Sequence, residues 1–507
     1  MASGGVGGIL LEASLLFTAD DGSENASLVP EADYILRKLR YSNIPTGISY
    51  ELGLSADKVS LLERTAKQHS FGCYGVNTYF MDNFVNEIEL AWSENGGKFL
   101  YVVSDYNKEL SNKLRSHGWL IIIMNTRSGD ATESSSEIYL DKLEELPSTI
   151  CHLSRKAGGN DQVVVGYIMK QSREEDFAKR GAFPLCPTPN GLIFMPITFE
   201  LCISSQLQDV DVVLHKATDE IVSIEMNTSS EFVDKITYTR GMQELERCIE
   251  QRPGICVVDP LNNIFPVLDR LKIQQVLLGV ENLNLEGRSR IRAPHFLKVN
   301  DFDEPNLVQR LLEAKLTPPN IVKPQVACGV TDAHSMAIVF RAQDYCGLSV
   351  PLPAVVQEYV DHSCTLFKFY VLGEKVFYAI KKSMPNADCL MKLSEKNGLK
   401  PLLFDSLKSL PTAKEDQHCG DGDCKKGNHQ QIDLGLVTDA ACWLRKMLDL
   451  TIFGFDVVIQ ENTGDHVIVD LNYLPSFKEV PDAVSVPAFW EAIRGKHDLR
   501  KATVPTS

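Results

Sequence analysis

Residues 453–478 read FGFDVVIQENTGDHVIVDLNYLPSFK, two alternating, β-branched runs on either side of Asn462-Thr463-Gly464-Asp465. Alternation flanking an Asn/Gly/Asp cluster specifies an antiparallel hairpin, and the turn fixes its register. Residues two apart on a strand share a face. Pairing 453–460 with 466–473 therefore lets Asp456, Asp470 and Asn472 converge at one end of the ribbon. Two carboxylates and an amide oxygen on a rigid element suit Mg²⁺, which takes one or two carboxylates and completes its octahedron with water and phosphate oxygens. Half-buried strand-end carboxylates with satisfied hydrogen bonds would show the same spacing, so the hairpin alone leaves both readings standing.

A chain of 507 residues is long enough for two or more domains and a large core. Its 44% hydrophobic and 23% charged residues are the balance of a globular protein. The formal net charge of −16 argues against a general binder of nucleic acid or of polyanionic membranes, which would carry a basic face. Any anionic ligand must be held by a local cluster of cations. Thirteen cysteines form no regular framework, and Cys202, Cys256 and Cys442 sit in apolar runs, which predicts reduced, buried thiols of an intracellular protein. Residues 1–17 lack a basic stretch and Glu12 interrupts their apolar run, so they do not read as a secretory signal. The strongest apolar run, 119–124 (WLIIIM), has the length of a buried strand, not of a membrane span. A cytoplasmic location is expected, with entry to the nucleus left open.

Residues 9–17 read as a first strand, followed by an amphipathic segment near 30–40, the run 44–50 (IPTGISY), a helical region at 55–69, a strand at 98–104, a helix at 107–116 and a strand at 119–124. This alternation predicts an α/β layer fold with a largely parallel sheet. It resembles a haloacid-dehalogenase-like domain, whose first strand ends in Asp-x-Asp-Gly-Thr and whose second motif is a Ser or Thr at a strand end, here Ser49. Matching Asp21-Gly22-Ser23 to the end of the first motif puts Ala19 where that family has its nucleophilic aspartate. A methyl group cannot attack phosphorus, so the resemblance implies a degenerate module; an unrelated α/β domain is the alternative.

Residues 153–161 (LSRKAGGND) are the linker expected from composition. Strands are then expected at 162–169, 197–203, 210–214 and 255–258, with helices at 172–180, from 219 to about 250, and at 263–279. Further strands are expected at 321–327, 336–340 and 354–361, and a hairpin of 364–372 with 375–383 turns at Gly373-Glu374. The polar stretch 385–432 reads as a mobile insertion. Within it His418, Cys419, Cys424 and His429 lack an apolar frame, which argues against zinc. A helix at 437–450 delivers the chain to the final hairpin.

Lys323, at the end of a strand before a loop, can act as a point charge on phosphates, although such a lysine is more commonly a solvated strand-edge residue. Gly329-Val330-Thr331-Asp332 offers backbone donors but no full P-loop. Lys381 and Lys382 point to opposite faces of their strand, so only one can join Lys368; the bland alternative is a basic edge strand guarding against aggregation. With His215, Lys216, Arg270 and His334 these cations would form a positive bowl suited to a small, highly phosphorylated ligand.

These residues carry a resemblance. His215-Lys216-x-Thr218-Asp219, Val258-Asp259-Pro260 with Leu268-Asp269-Arg270, Lys323-Pro324-x-Val326-Ala327-x-Gly329, 334–340 (HSMAIVF), Val356-Gln357-Glu358-Tyr359-Val360-x-His362, Leu366-Phe367-Lys368-x-Tyr370-Val371-x-Gly373-Glu374 and Phe453-Gly454-x-Asp456 with Asp470-x-Asn472-x-x-Pro475 resemble the inositol 1,3,4-trisphosphate 5/6-kinase (inositol-tetrakisphosphate 1-kinase) family, of ATP-grasp fold. The match spans roughly 162–495, and the additional first domain looks like that of the family's plant type-4 members. The resemblance implies that Arg270, Lys323, Gln357, Lys368 and Ser383 surround ATP, with the backbone at Glu358 and Val360 reading adenine. It implies inositol phosphate contacts for Lys216, His334 and Lys368, for Lys381 where relatives often carry arginine, and for Arg173, the one charge kept where relatives have two lysines. Asp456, Asp470 and Asn472 match the magnesium ligands, and Asn472 also lies towards the substrate. His334, Lys368, Asp456 and Asp470 are the residues implied at the chemistry. Departures gather on the inositol phosphate side: Ser172 in place of a lysine, Val330, Ser476, and one extra residue between Lys323 and His334.

The expectation is therefore an α/β protein with a haloacid-dehalogenase-like domain at 1–155, an ATP-grasp N-terminal lobe at 160–290, and central and C-terminal lobes at 291–500. It would be a monomeric phosphotransferase moving the γ-phosphoryl of ATP, with one or two Mg²⁺ ions, to a hydroxyl of an inositol tris- or tetrakisphosphate, and able to exchange phosphate between isomers through ADP. Its partners would be inositol polyphosphates and ATP or ADP, with no nucleic acid and no membrane. The alternatives are an ATP-grasp carboxylate–amine ligase and a non-enzymatic inositol phosphate sensor.

Overall fold

Val6–Glu12 is the innermost strand of a six-stranded, wholly parallel sheet in the order Gly72–Val76, Thr46–Glu51, Val6–Glu12, Lys98–Val103, Leu120–Met124, Glu137–Leu140. Ile9, Leu10 and Leu11 are fully buried, as a strand covered on both faces requires. The computed structural model describes residues 5–17, 27–77, 81–104, 108–124, 137–159, 161–226, 235–395, 398–408, 410–411 and 431–503. Contacts divide it into two compact units, Met1–Leu214 with Arg247–Cys256, and His215–Glu246 with Val257–Ser507.

In the first unit the strand starts earlier than the expected residue 9 because Gly7 and Gly8 lie against other chain: added Cβ atoms would come 2.2 Å from the Gly96 carbonyl oxygen and 2.2 Å from the Trp92 ring. Residue 19 lies outside the described residues, but the strand expected to run on to residue 17 before that motif ends at Glu12, with Ala13–Leu16 a 3-10 turn. Helices Pro30–Arg40, Ala56–His69 and Lys108–Ser116 fall where expected. Strand Gly72–Val76 and helix Met81–Trp92 were not anticipated, although Met81, Phe84, Val85, Ile88 and Trp92 have the helical period. The supposed linker at 153–161 is mostly helix: Leu146–Gly158 has proline in its first turn and buries Ile150, Cys151 and Ser154, so the polar residues are its outer face.

A four-stranded sheet follows, ordered Cys256–Val258, Val212–His215, Val163–Ile168, Leu192–Pro196. Leu192–Pro196 replaces the strand expected at 197–203. Beyond Pro196 the chain leaves the sheet and starts the short helix Ile203–Gln206, so Cys202 is exposed rather than buried, while Cys256 is buried and Cys442 half-buried.

In the second unit the helix expected from 219 begins only at Arg240–Glu250. Ile221–Glu225 and Lys235–Tyr238 pair antiparallel first, on β-branched residues that favour strands. The helix expected at 263–279 is broken at Phe265–Leu268, after which Asp269 caps Arg270–Leu278 by accepting from the Leu271 and Lys272 amides. Two five-stranded sheets dominate. One is ordered Phe296–Val299, Ala354–Glu358, Asn320–Pro324, Ser335–Val339, Leu402–Asp405; the other Ile291–Arg292, His466–Tyr473, Ile452–Ile459, Thr365–Leu372, Lys375–Lys382. Strand Leu402–Asp405 and helix Ala387–Glu395 come from the expected insertion, so this part of it is built into the fold. The candidate zinc residues lie outside the described residues. On the second sheet Phe369 and Phe455 are buried and stacked, ring centroids 5.2 Å apart. Each phenylalanine so buried contributes about 1.5–3 kcal/mol, and this apolar face secures the polar one behind it.

Candidate functional site

Three neighbouring strands of that sheet carry the site. Thr365–Leu372 pairs with Ile452–Ile459, which pairs with His466–Tyr473, and the register sets Lys368 opposite Asp456 and Asp456 opposite Asp470. Directly opposed residues project to the same face, so a lysine and two carboxylates form one row across the sheet. Asn472 shares the face, donates from Nδ2 to Asp470 Oδ2 at 3.0 Å, and sits opposite Gly454. That glycine is required by close approach, since a Cβ would come 2.9 Å from the Phe369 carbonyl oxygen and 3.1 Å from Pro475.

Past Asp456 the ladder slips: Val457 faces Ile468, leaving Val469 as an extra residue. Such a bulge locally re-aims a strand. Lys323, at the end of Asn320–Pro324, donates to the Val469 carbonyl at 3.3 Å, which brings a cation from another sheet beside the acidic row. Burial lowers the Lys323 ammonium to about 8, with Arg270 adding and Asp470 and Asp456 opposing. Desolvation lifts the Asp456 carboxyl to about 7 against the pull of Lys368, Lys323 and Lys381, with Asp470 reinforcing the rise. Asp456 Oδ1 is shut from solvent without a hydrogen-bond partner. An orphaned carboxylate oxygen facing a second carboxylate is a polar deficit that a divalent cation fits, and the oxygen-only donors suit Mg²⁺.

The other candidates are placed as follows. Lys216 donates to the Tyr473 carbonyl, next to Asn472, with its ammonium 4.6 Å from the Tyr473 ring centroid. Lys381 shares the Lys368 face by register but is ion-paired with Glu479. Burial would raise the Glu479 carboxyl, yet hydrogen bonds from Lys381 and Tyr370 hold it near 2. His334 ends the turn Thr331–His334 with Nδ1 3.1 Å from Ser406 Oγ, and burial, reinforced by Arg270, lowers its pKa. The buried Arg270 guanidinium donates to the carbonyls of Pro324, Val326 and Ala333 at 2.7, 2.8 and 3.0 Å and of Ala327 at 3.3 Å, so it shapes the segment after Lys323. Gln357 is buried with Oε1 lacking a partner. The Glu358 carboxylate is taken by both terminal nitrogens of Arg292, each at 2.8 Å, and its amide donates to the His295 carbonyl. Val360 and Ser383 are joined through His362. Arg173 lies on helix Gln171–Ala178 of the first unit, whereas all the other candidates belong to the second.

Glu479, Arg292 and Asp259 were missed. Asp259 is wholly buried and accepts from the Thr451 and Ile452 amides at 2.8 and 3.2 Å, anchoring the start of the Asp456 strand. It stood in a quoted motif, but nothing local shows what its carboxylate reaches.

Comparison with known proteins gives two matching family models: residues 1–156 match "ITPK4, N-terminal HAD-like domain", and residues 285–489 match "Inositol 1,3,4-trisphosphate 5/6-kinase ATP-grasp domain". The chain is 48% identical over 504 residues to inositol-tetrakisphosphate 1-kinase 6 of Oryza sativa subsp. indica, covering 98% of this chain and 90% of that protein. It is 27% identical over 319 residues to inositol-tetrakisphosphate 1-kinase of Danio rerio, covering 63% of this chain and 75% of that protein.

Proposed function

From the premise that the chain belongs to the inositol 1,3,4-trisphosphate 5/6-kinase family, we propose that the row Lys368, Asp456, Asp470 is where it phosphorylates its substrate. The protein is an α/β enzyme, a haloacid-dehalogenase-like domain followed by an ATP-grasp fold, and a phosphotransferase with an alcohol acceptor: it uses ATP to phosphorylate inositol polyphosphates. The observation that carries the site assignment is the register, which sets one lysine and two acids side by side with Lys323 at the bulge.

Such a transfer asks little covalent chemistry of the protein; alignment of donor and acceptor oxygens and neutralisation of charge set the rate. In this reading Lys323 and Lys368 hold nucleotide phosphates, Gln357, Glu358, Val360 and Ser383 border the nucleotide, and Arg270 keeps the Lys323 segment in shape. Lys216, His334, Lys381 and Asn472 face the inositol phosphate, with Lys381 sharing its charge with Glu479. Asp456, Asp470 and Asn472 would hold Mg²⁺, one ion or two, which when bound offsets charge on the phosphates. No general base is assigned. Phosphate exchange between isomers through ADP belongs to the same proposal.

The domain limits 1–155, 160–290 and 291–500 are retained as a proposal, and the first unit is proposed to be without phosphatase chemistry. At the carboxyl ends of its strands a cavity of about 480 Å³ is lined by Glu12, Ser49, Glu51 and Tyr101 among others, with no lysine or arginine among its described lining residues to receive a phosphate. Action as a monomer in the cytoplasm is proposed on the sequence, with entry to the nucleus left open. Among the described residues no helix is long and apolar enough to cross a membrane.

The test is incubation with Mg-ATP and a panel of inositol tris- and tetrakisphosphates, resolved by chromatography. A more highly phosphorylated inositol is expected. ATP hydrolysis that depends instead on a carboxylate plus an amine, or binding without product, would overturn the reading.

A further inference from the structure

His362 stands between two groups assigned above to the nucleotide. Its Nδ1 lies 2.6 Å from the Val360 carbonyl oxygen and its Nε2 lies 2.8 Å from Ser383 Oγ. A carbonyl can only accept, so Nδ1 carries the proton. Burial lowers the His362 pKa, which keeps the ring neutral, so Nε2 has a lone pair and the Ser383 hydroxyl must donate to it. The serine proton is then committed to the ring, and its oxygen can only accept from anything else.

The ring is held in that place by its backbone. The amides of His362 and Ser363 both donate to Asn386 Oδ1, at 3.1 and 3.0 Å, and the Ser383 amide donates to the Cys364 carbonyl at 2.7 Å. Ser363 and Cys364 both have positive φ, 51° and 57°, a conformation that costs on the order of 1–3 kcal/mol for a non-glycine residue and persists where the surroundings over-determine it. Strain of this kind gathers at ligand clamps and active sites.

We infer that His362 is a positioning residue for the nucleotide: it ties the 357–360 strand end to Ser383 and turns the Ser383 oxygen into a fixed acceptor for a hydroxyl or amino hydrogen of ATP. This rests on the placement of ATP proposed above. It predicts that His362 and Ser383 act as one unit, with an effect on nucleotide binding and none on the acceptor.

The test is a double-mutant cycle in the full-length protein, with Ser383→Ala, His362→Leu and both together, reading KM for ATP, KM for the inositol phosphate and kcat. Each single variant should raise KM for ATP by about tenfold, the loss of roughly one fixed hydrogen bond, and the double variant by no more than either. KM for the inositol phosphate and kcat should stay within twofold, about the resolution of such a cycle. His362→Gln, which keeps a donor and an acceptor, should recover part of the loss; if His362→Leu does not fold, His362→Phe takes its place in the cycle. If Ser383→Ala leaves KM for ATP unchanged, the placement of ATP fails and the inference with it. If Ser383→Ala raises it but the His362 variants do not, or the effects multiply, or kcat falls with folding intact, the inference fails alone.

Discussion

Lys323 is held by the Val469 carbonyl beside two acids, so its ammonium is positioned without the long search an exposed lysine makes. Replacing it with methionine keeps the aliphatic stem and removes the charge. Lys323→Met should raise KM for ATP by about 10–100-fold, the worth of one or two charge-assisted contacts to phosphate, and an unchanged KM would remove Lys323 from the nucleotide site. Asp456, Asp470 and Asn472 could be picked out in the sequence because residues two apart on a strand share a face, but the register set by the turn would put Asp456 opposite Val469, and it is the bulge that brings Asp470 opposite it. The Val469 bulge could not: it inserts a residue without disturbing the run of apolar side chains around it. Nor could Glu479 beside Lys381, or Arg292 beside Glu358, since each pair joins distant parts of the chain and no local pattern announces a salt bridge.

Asp259 shows what one buried carboxylate does for a whole strand. It ties the loop after Cys256–Val258 to the first residues of the Asp456 strand, and its other oxygen is buried without a partner. Burial raises its carboxyl from 3.8 to about 6, despite the Thr451 and Ile452 donors. The folded state therefore binds this proton more tightly than the unfolded one, so the stabilising contribution is complete below 3.8 and is lost as pH rises through about 6. Asp259→Asn cannot ionise. Urea unfolding at pH 4 to 8 should show the variant gaining on the wild type up to about pH 6 and level beyond it, by on the order of 2 kcal/mol in total; a constant difference would contradict this. Elements with a clear period and a turn residue were legible, the 365–382 hairpin at Gly373-Glu374 above all. The helix expected from 219 was not, because Ile221–Glu225 and Lys235–Tyr238 become strands only by pairing with each other. The 153–161 stretch misled because an exposed helix face and a linker have the same composition.

At the scale of the molecule, the parallel sheet of the first unit was readable from strands alternating with helices, and in the second unit two hairpins were readable from their turns. The function needed more than rhythm, since every candidate cation is unremarkable alone and gains meaning only from the motifs it sits in and from the register that gathers Lys368, Asp456 and Asp470. That gathering is the central claim, and single-turnover transfer of the labelled γ-phosphoryl of ATP to an inositol polyphosphate tests it directly. With circular dichroism unchanged, the joint variant Asp456→Asn, Asp470→Asn should lose at least about a thousandfold in rate, as removal of preorganised charge from a phosphoryl-transfer site does. A rate within a few fold of wild type would contradict the account.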